Sequence, residues 1–315
     1  MMTESWMILR PLGPVSFRWG GVTSPLLRGS MSGAMVSPLP LPSTVEGFLR
    51  SSLMRIGVLD RRNVMDPRAL QDLGISIGPV ALYLRGGGEE RFCVNAYGTG
   101  GRLVCGNPDG HPLAFSPPRA LRIGVALDRG RKSALEGYLY SMEHMDLRPR
   151  PVLEALRESG WKGDLEDVGI AVSASADGEL LRRLVGLVGP LGGEGTPIVV
   201  EGVLDSGPSG KSCLLASPAL IDRHDSGKGD ALQVEWGSAN ASLRGYLVED
   251  GGSPTKVRPV LRLISRGFAL DRRLPMSLAA MPGPIVDGGC SPVGHQAGLG
   301  WGGVLRMDLG RIEVS

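Results

Sequence analysis

Residues 38–57 read PLPLPSTVEGFLRSSLMRIG, and this stretch predicts the first long element of the chain. Val45, Leu49 and Leu53 recur every four residues, and Phe48 and Ile56 widen the stripe into the apolar face of an amphipathic helix. Ser43 followed three residues later by Glu46 has the form of a capping box with Ser43 as N-cap. Glu46 and Arg50 stand one turn apart at ion-pair spacing on the other side. Gly57 supplies a C-terminal cap. Such a helix has one face to bury, and a sheet is its natural partner.

Strands are legible on both sides of it. Upstream, Trp6–Leu12 reads as a strand closed by Gly13-Pro14. The connection over 17–42 is rich in Gly, Ser and Pro, carries Arg18 and Arg28, and ends in a Pro-x-Pro-x-Pro run that favours extended backbone. Connections of that length inside a compact domain usually have a function. Downstream, residues 75–97 predict a hairpin turning at Gly87-Gly88, and 98–120 a loop. Extended segments at 122–127 and 137–141 flank a basic turn that contains Arg131 and Lys132. A helix is expected over 151–160, a strand over 168–175, a helix over 178–188, a glycine turn over 191–195 and a strand over 197–204. Further strands fall within 213–221, 243–248 and 257–264. Short strands with few helices indicate an α+β fold. The repeated strand–helix–strand theme points to two ferredoxin-like (RRM-like) domains with long Gly/Pro-rich loops, 1–150 and 151–315, divided at the proline-containing charged stretch 147–151.

Composition sets the bounds. The chain has 315 residues, 42% hydrophobic and 21% charged, enough for two ordinary cores and too apolar for a disordered tail. It contains 48 Gly and 24 Pro with no triplet period, which excludes collagen and places the excess in turns and close backbone approaches. Net charge is only +2, so global charge does not demand a nucleic-acid partner. The bases are lopsided, with 29 Arg against 5 Lys, and Arg is the side chain with a planar fork of donors for phosphate. Asn and Gln together number seven, which fits a heat-adapted source. Cys93, Cys105, Cys213 and Cys290 form no C-x-x-C pair, and the four His do not cluster with them, so no metal site and four reduced thiols are expected. With no apolar run of spanning length and no leader-like N-terminus, the expected location is the cytoplasm, away from any membrane.

Few constellations carry chemistry. Residues 205–212, DSGPSGKS, approach a phosphate-binding P-loop, but the first position holds Asp205 rather than Gly, and Pro208 removes an N–H donor. No G-x-S-x-G elbow occurs. His295 lies in the glycine-dense run 294–303, which reads either as a loop approached by a ligand or as a plain flexible turn. The start of the first helix is a candidate anion site, with its N–H groups and the Ser43 and Thr44 hydroxyls side by side. Gly47, one turn in, costs about 1 kcal/mol of helix propensity, explained either by a ligand packing there or by the helix packing on its sheet. Basic pairs stand at 61–62, 131–132, 182–183 and 272–273; each alone is ordinary solvated surface, whereas beside glycine loops they could track a phosphate backbone.

Several segments resemble one family. The run from Pro38 to Arg50 is similar to the proline-rich stretch and first helix of CRISPR RAMP proteins, and more narrowly of subunit three of the type III-B Cmr complex. Leu12–Arg18, Arg122–Asp128 with Glu136–Ser141, and the glycine turn Leu191–Gly195 resemble further stretches of that family, in its order. The resemblance implies a non-catalytic subunit, without cofactor or metal, that holds the repeat-derived 5′ tag of the crRNA. It also implies contacts with the large polymerase-like subunit and the backbone RAMP subunits of an effector. RNA contacts are then expected at Arg18, Ser43, Thr44, Gly47, Arg50, Arg131, Lys132, Gly192 and Gly193. With 15 aromatic residues in all, shape and backbone contacts should outweigh base stacking. The main alternative is a RAMP endoribonuclease that processes CRISPR precursor RNA with His295 or Tyr138. A third possibility is a scaffold that touches only proteins.

Overall fold

A computed structural model of the chain describes residues 3–18, 36–64, 66, 68–99, 101–107, 111–128, 133–192, 195–226, 231–250, 253–265 and 276–310. The elements of the first two-thirds are β1 (Thr3–Pro11), β2 (Phe17–Arg18), β3 (Val36–Ser37), α1 (Pro42–Arg55), α2 (Ala69–Asp72), β4 (Ser76–Gly86), β5 (Glu89–Ala96), β6 (Arg102–Cys105), β7 (Leu113–Phe115), β8 (Arg119–Asp128), β9 (Ser133–Met145), α3 (Pro149–Glu158), β10 (Asp167–Ala176), α4 (Gly178–Arg182), β11 (Val188–Leu191) and β12 (Thr196–Leu204). The fold is α+β and rich in sheet.

The main sheet runs β11-β12-β1-β10-β4-β5-β6-β7 and continues with the strands Tyr246–Asp250 and Ser253–Val257. β1 lies between β10 and β12 and is antiparallel to both, with Thr3 opposite Ala176 on one side and Trp6 opposite Leu204 on the other. The central order β12-β1-β10-β4, with α1 linking β1 to β4 and α4 lying between β10 and β12, is that of a split β-α-β unit. This corrects the expected division at 150/151, because β10 and β12 from the second half build the sheet that β1 begins. The second expected ferredoxin-like unit is also not seen: among the described residues no helix follows α4, and the later strands either extend the edge of the main sheet or form other sheets.

Both faces of β1 are buried. Met7 and Leu9, with Ile170, Val172, Leu82 and Leu84, pack beneath Val45, Phe48, Leu49 and Leu53 of α1 and Val152 and Leu156 of α3. Trp6 and Ile8 face the other way, with Ala171, Tyr83 and Phe92, against Leu214, Ile285, Leu305 and Met307. Those four come from a second sheet, ordered Arg223–Ser226, Ala231–Trp236, Ala239–Arg244, Ile285–Asp287, Ser212–Leu215, Val304–Met307. The architecture is therefore helices, sheet, sheet, with a small further core around Val234, Leu243 and Val286 on the outer side of the second sheet.

The β4–β5 hairpin turns at Gly87-Gly88, both at positive φ (61° and 80°), which suits the twist of the paired strands. Three expectations are revised. Residues 102–105 and 113–115, read as loop, are strands. The helix expected over 178–188 ends at Arg182, because Gly186 donates to the Val200 carbonyl and pulls the chain into the sheet edge. The cysteines are all paired: Cys93 lies opposite Cys105 in the β5–β6 register and bonds to it, and Cys213 bonds to Cys290. No helix among the described residues is long and apolar enough to cross a membrane.

The P-loop-like segment is also settled by packing. Ser212–Leu215 continues as a strand, not as the helix such a loop needs. A Cβ on Gly207 would run into the Trp6 indole, and one on Gly210 into the Met307–Asp308 backbone. We therefore expect Gly207→Ala to destabilise the protein by about 1–3 kcal/mol through overpacking. Gly202→Ala in β12, where the added carbon meets nothing within 4 Å, should be tolerated. Urea melts of the two variants check this.

Candidate nucleic-acid interface

The start of α1 differs from the predicted capping box. Leu41 is the N-cap and Pro42 the first helical residue, since a proline ring presets φ for that position and needs no N–H there. Ser43 is thereby inside the helix, no side chain caps it, and Glu46 turns to Arg50 instead of reaching back. The first turn holds no acidic residue, so nothing on the helix itself opposes an anion at its positive end.

Ser43 and Thr44 are half-buried and Gly47 is exposed. A Cβ at Gly47 would meet nothing within 4 Å, so packing on the sheet does not explain this glycine. Arg55 touches the Val188 carbonyl and Phe48 lies against Gly189, so α1 and β11 run in opposite directions. The turn after β11 consequently lies toward the beginning of the helix. Gly192, in that turn at φ 80°, sits so close to Phe17 that an added Cβ would lie 3.4 Å from the ring. Phe17 belongs to β2, whose next residue, Arg18, pairs with Val36. At the same end, Gly300 approaches Pro42 and the Gly78 carbonyl, placing the C-terminal glycine run beside the start of α1.

The structure thus gathers Ser43, Thr44, Gly47, Gly192 and the backbone of Arg18 at one end of the helical layer. The Arg18 side chain and residues Arg131, Lys132 and Gly193 lie outside the described residues, as do Arg272-Arg273 and the Tyr138 side chain. Arg50 is a correction. Its side chain is 10% exposed; Nε and Nη2 donate to Glu46 Oε1 at 3.0 and 2.5 Å, and Nη1 donates to the Val64 carbonyl at 3.0 Å and to the Asp66 carbonyl. Donors spent on fixing the 60–66 turn to the helix are not offered to RNA. Of the other basic pairs, Arg182 bonds Asp205 at 2.9 Å and Arg183 bonds the Ile56 carbonyl at 3.3 Å, whereas Arg61 and Arg62 are exposed on the turn after α1.

The His295 run resolves toward packing. Gly294, Gly300, Gly302 and Gly303 all face neighbouring backbone at distances that leave no room for a Cβ, and Trp301 between them is buried. His295 Nε2 lies 2.9 Å from Asp222 Oδ2, and its backbone N–H donates to the Leu220 carbonyl. The Gly237 N–H, together with His295, holds the Asp222 carboxyl below the usual carboxylate range. The pair fastens the loop to the strand region around Leu220. Among the described residues, no group of three or more His, Cys, Asp or Glu is arranged to hold a metal ion.

Residues 114–228 match the model of a protein family described as CRISPR-associated protein (Cas_Cmr3). Over that stretch, a little over a third of its length, the chain is similar to the Cmr3 family of CRISPR-associated proteins. Its fold is similar to that of a chain in a structure described as the type III-B Cmr-beta complex bound to cognate target RNA, at 18% identity and a TM-score of 0.51, covering 89% of this chain and 86% of that one. A chain of the same complex bound to cognate target RNA and AMPPnP aligns over 89% and 85% at 16% identity, with a TM-score of 0.48. No curated protein matches the sequence.

These placements separate two residues that sequence alone treats alike. Arg50→Ala leaves Glu46 and two carbonyls without their donor and should lower stability by about 1–3 kcal/mol. Gly47→Ala adds a methyl at an exposed helix position and should raise stability by up to about 1 kcal/mol. Thermal melts of the free protein decide both.

Proposed function

We propose that the chain is a non-catalytic RNA-binding subunit of a type III-B Cmr-type CRISPR effector, holding the repeat-derived 5′ tag of the crRNA where α1 begins. The observation that carries this reading is the uncapped, acid-free start of α1, with Ser43 and Thr44 beside an exposed Gly47 whose helix cost no contact among the described residues repays. A phosphate seated there meets the Ser43 N–H at the positive end of the helix, since Pro42 has no N–H and those of Thr44 and Val45 donate to the Leu41 carbonyl, together with two hydroxyls and room for close approach. The Gly192 turn and β2 border the same place, and Arg18 leads out of β2. The match to the Cas_Cmr3 family and the likeness in fold to a chain of an RNA-bound Cmr complex support the effector setting. The large polymerase-like subunit and the backbone RAMP subunits would be its neighbours.

The test places a charge where the phosphate should sit. Ser43→Glu should weaken binding of the assembled complex to a tag-bearing RNA by about 10-fold at moderate salt, while Ser43→Ala has a smaller effect. Unchanged affinity in Ser43→Glu, with the complex still assembled, would overturn the assignment of this site. The endoribonuclease alternative is separated by incubating the pure protein with repeat RNA in EDTA. We expect no site-specific cleavage; cleavage that vanishes in His295→Ala would establish an enzyme instead. Crosslinks from RNA to this chain in the assembled complex exclude a scaffold that touches only proteins.

A further inference from the structure

A cavity of about 480 Å³ opens between the two sheets on the face of the main sheet away from the helices. Its size falls within the range of small-molecule sites, about 300–1,000 Å³. The floor is polar where the rest of that face is apolar. Farther along the same strands, Ile8, Ala171 and Tyr83 bury against the second sheet. Here the positions in register are Glu4 opposite Ser175, Ser175 opposite Ser76, and Trp6 opposite Ser173. Ser173 is 2% exposed and donates its hydroxyl to Glu4 Oε1 at 2.8 Å, so a buried hydroxyl aims an exposed carboxylate. Gly78 faces Ser173, and a Cβ on it would stand 2.7 Å from the Ser173 oxygen, so any larger residue would fill the floor.

The opposite wall is made of Gly and Pro from two loops, including Pro208 and Pro292, with Arg306 exposed on the strand Val304–Met307. Among the described residues Glu4 is the only carboxylate and Arg306 the only cation lining the space. A ligand suited to it fits a space of about 480 Å³ between the loop wall and the sheet. It presents N–H groups to a carboxylate, tolerates hydroxyls that both donate and accept, and carries an anion for a guanidinium.

We infer that this cavity binds a guanine nucleotide, with the base on the hydroxyl floor and the phosphate at Arg306. Guanine is the base whose pairing edge carries two parallel donors, N1–H and the N2 amine, which a carboxylate accepts together. Adenine has an acceptor at N1, and uracil flanks its single N–H with two carbonyls that a carboxylate repels. The guanine is presented either free, as a mononucleotide, or turned out of a bound RNA strand; only the second source rests on the function proposed above.

Titration calorimetry of the pure protein with GMP, AMP, UMP and guanosine tests the free source. GMP should bind at least 10-fold more tightly than AMP or UMP. Glu4→Gln, which keeps an acceptor for Ser173, should abolish that preference, and Arg306→Ala should bring GMP down to guanosine. For the strand source, an RNA containing one 6-thioguanine should photocrosslink to a peptide from β1, β4 or β10 in wild type and not in Glu4→Gln. Positive results in either arm support the pocket and identify the source. Binding without base preference, a preference unaffected by Glu4→Gln, or no signal in both arms would overturn it. A failed tag-binding test with intact GMP binding would sink only the function proposed above.

Discussion

β1 has neither a free edge nor a free face, and the rest of the molecule is arranged around that. Its hydrogen bonds are taken on one side by β10 and on the other by β12, and its side chains alternate between the helical layer and the second sheet. Burying each of Trp6, Met7, Ile8 and Leu9 contributes about 1.5–3 kcal/mol, and because these side chains alternate between two cores one strand ties all three layers together. The one irregularity, a register shift between Ile8 and Leu9, falls where Glu201 of β12 forms an ion pair with Arg10 at 2.9 Å. Burial and the nearby Asp167 carboxylate push the Glu201 carboxyl above its ordinary range, while Arg10 draws it back.

What could be read from the sequence was what local periodicity encodes. Val45, Leu49 and Leu53 announced α1, the two glycines at 87–88 announced a hairpin, and the alternation after Val168 announced β10. Pairing between distant segments left no local trace. Ser212–Leu215 pairs with both Ile285–Asp287 and Val304–Met307, and neither of those short stretches has a pattern of its own. The domain boundary failed for the same reason: a split β-α-β unit takes its third and fourth strands from beyond residue 150, where composition sees only a proline-rich gap. The disulfides were likewise invisible, since spacings of 12 and 77 residues become bonds only through strand register and loop return.

The site was legible in kind rather than in detail. Arg50 was rightly paired with Glu46 by spacing, but its remaining donors found the 60–66 turn, a contact no spacing rule reports. Glycines divide into two groups that look identical in the sequence. Those at 207, 210, 300 and 302 are required by neighbouring backbone or by Trp6, whereas a Cβ at Gly47 would meet no described atom within 4 Å. Ser173 and Glu4 gave no signal at all, being separated by 169 residues and joined only through the β1–β10 register.

The central place of β1 also bears on how the protein is made. During synthesis β1 has no partner until β10 and then β12 have followed it, and the stretch from β1 to the end of β12 takes roughly 10–40 s to translate at ordinary rates. Throughout that interval Trp6, Met7, Ile8 and Leu9 form an exposed apolar segment with two unpaired edges. In a nascent chain built this way β1 stays open to misassociation until β10 and β12 emerge, so closure of the main sheet is set by synthesis of those strands.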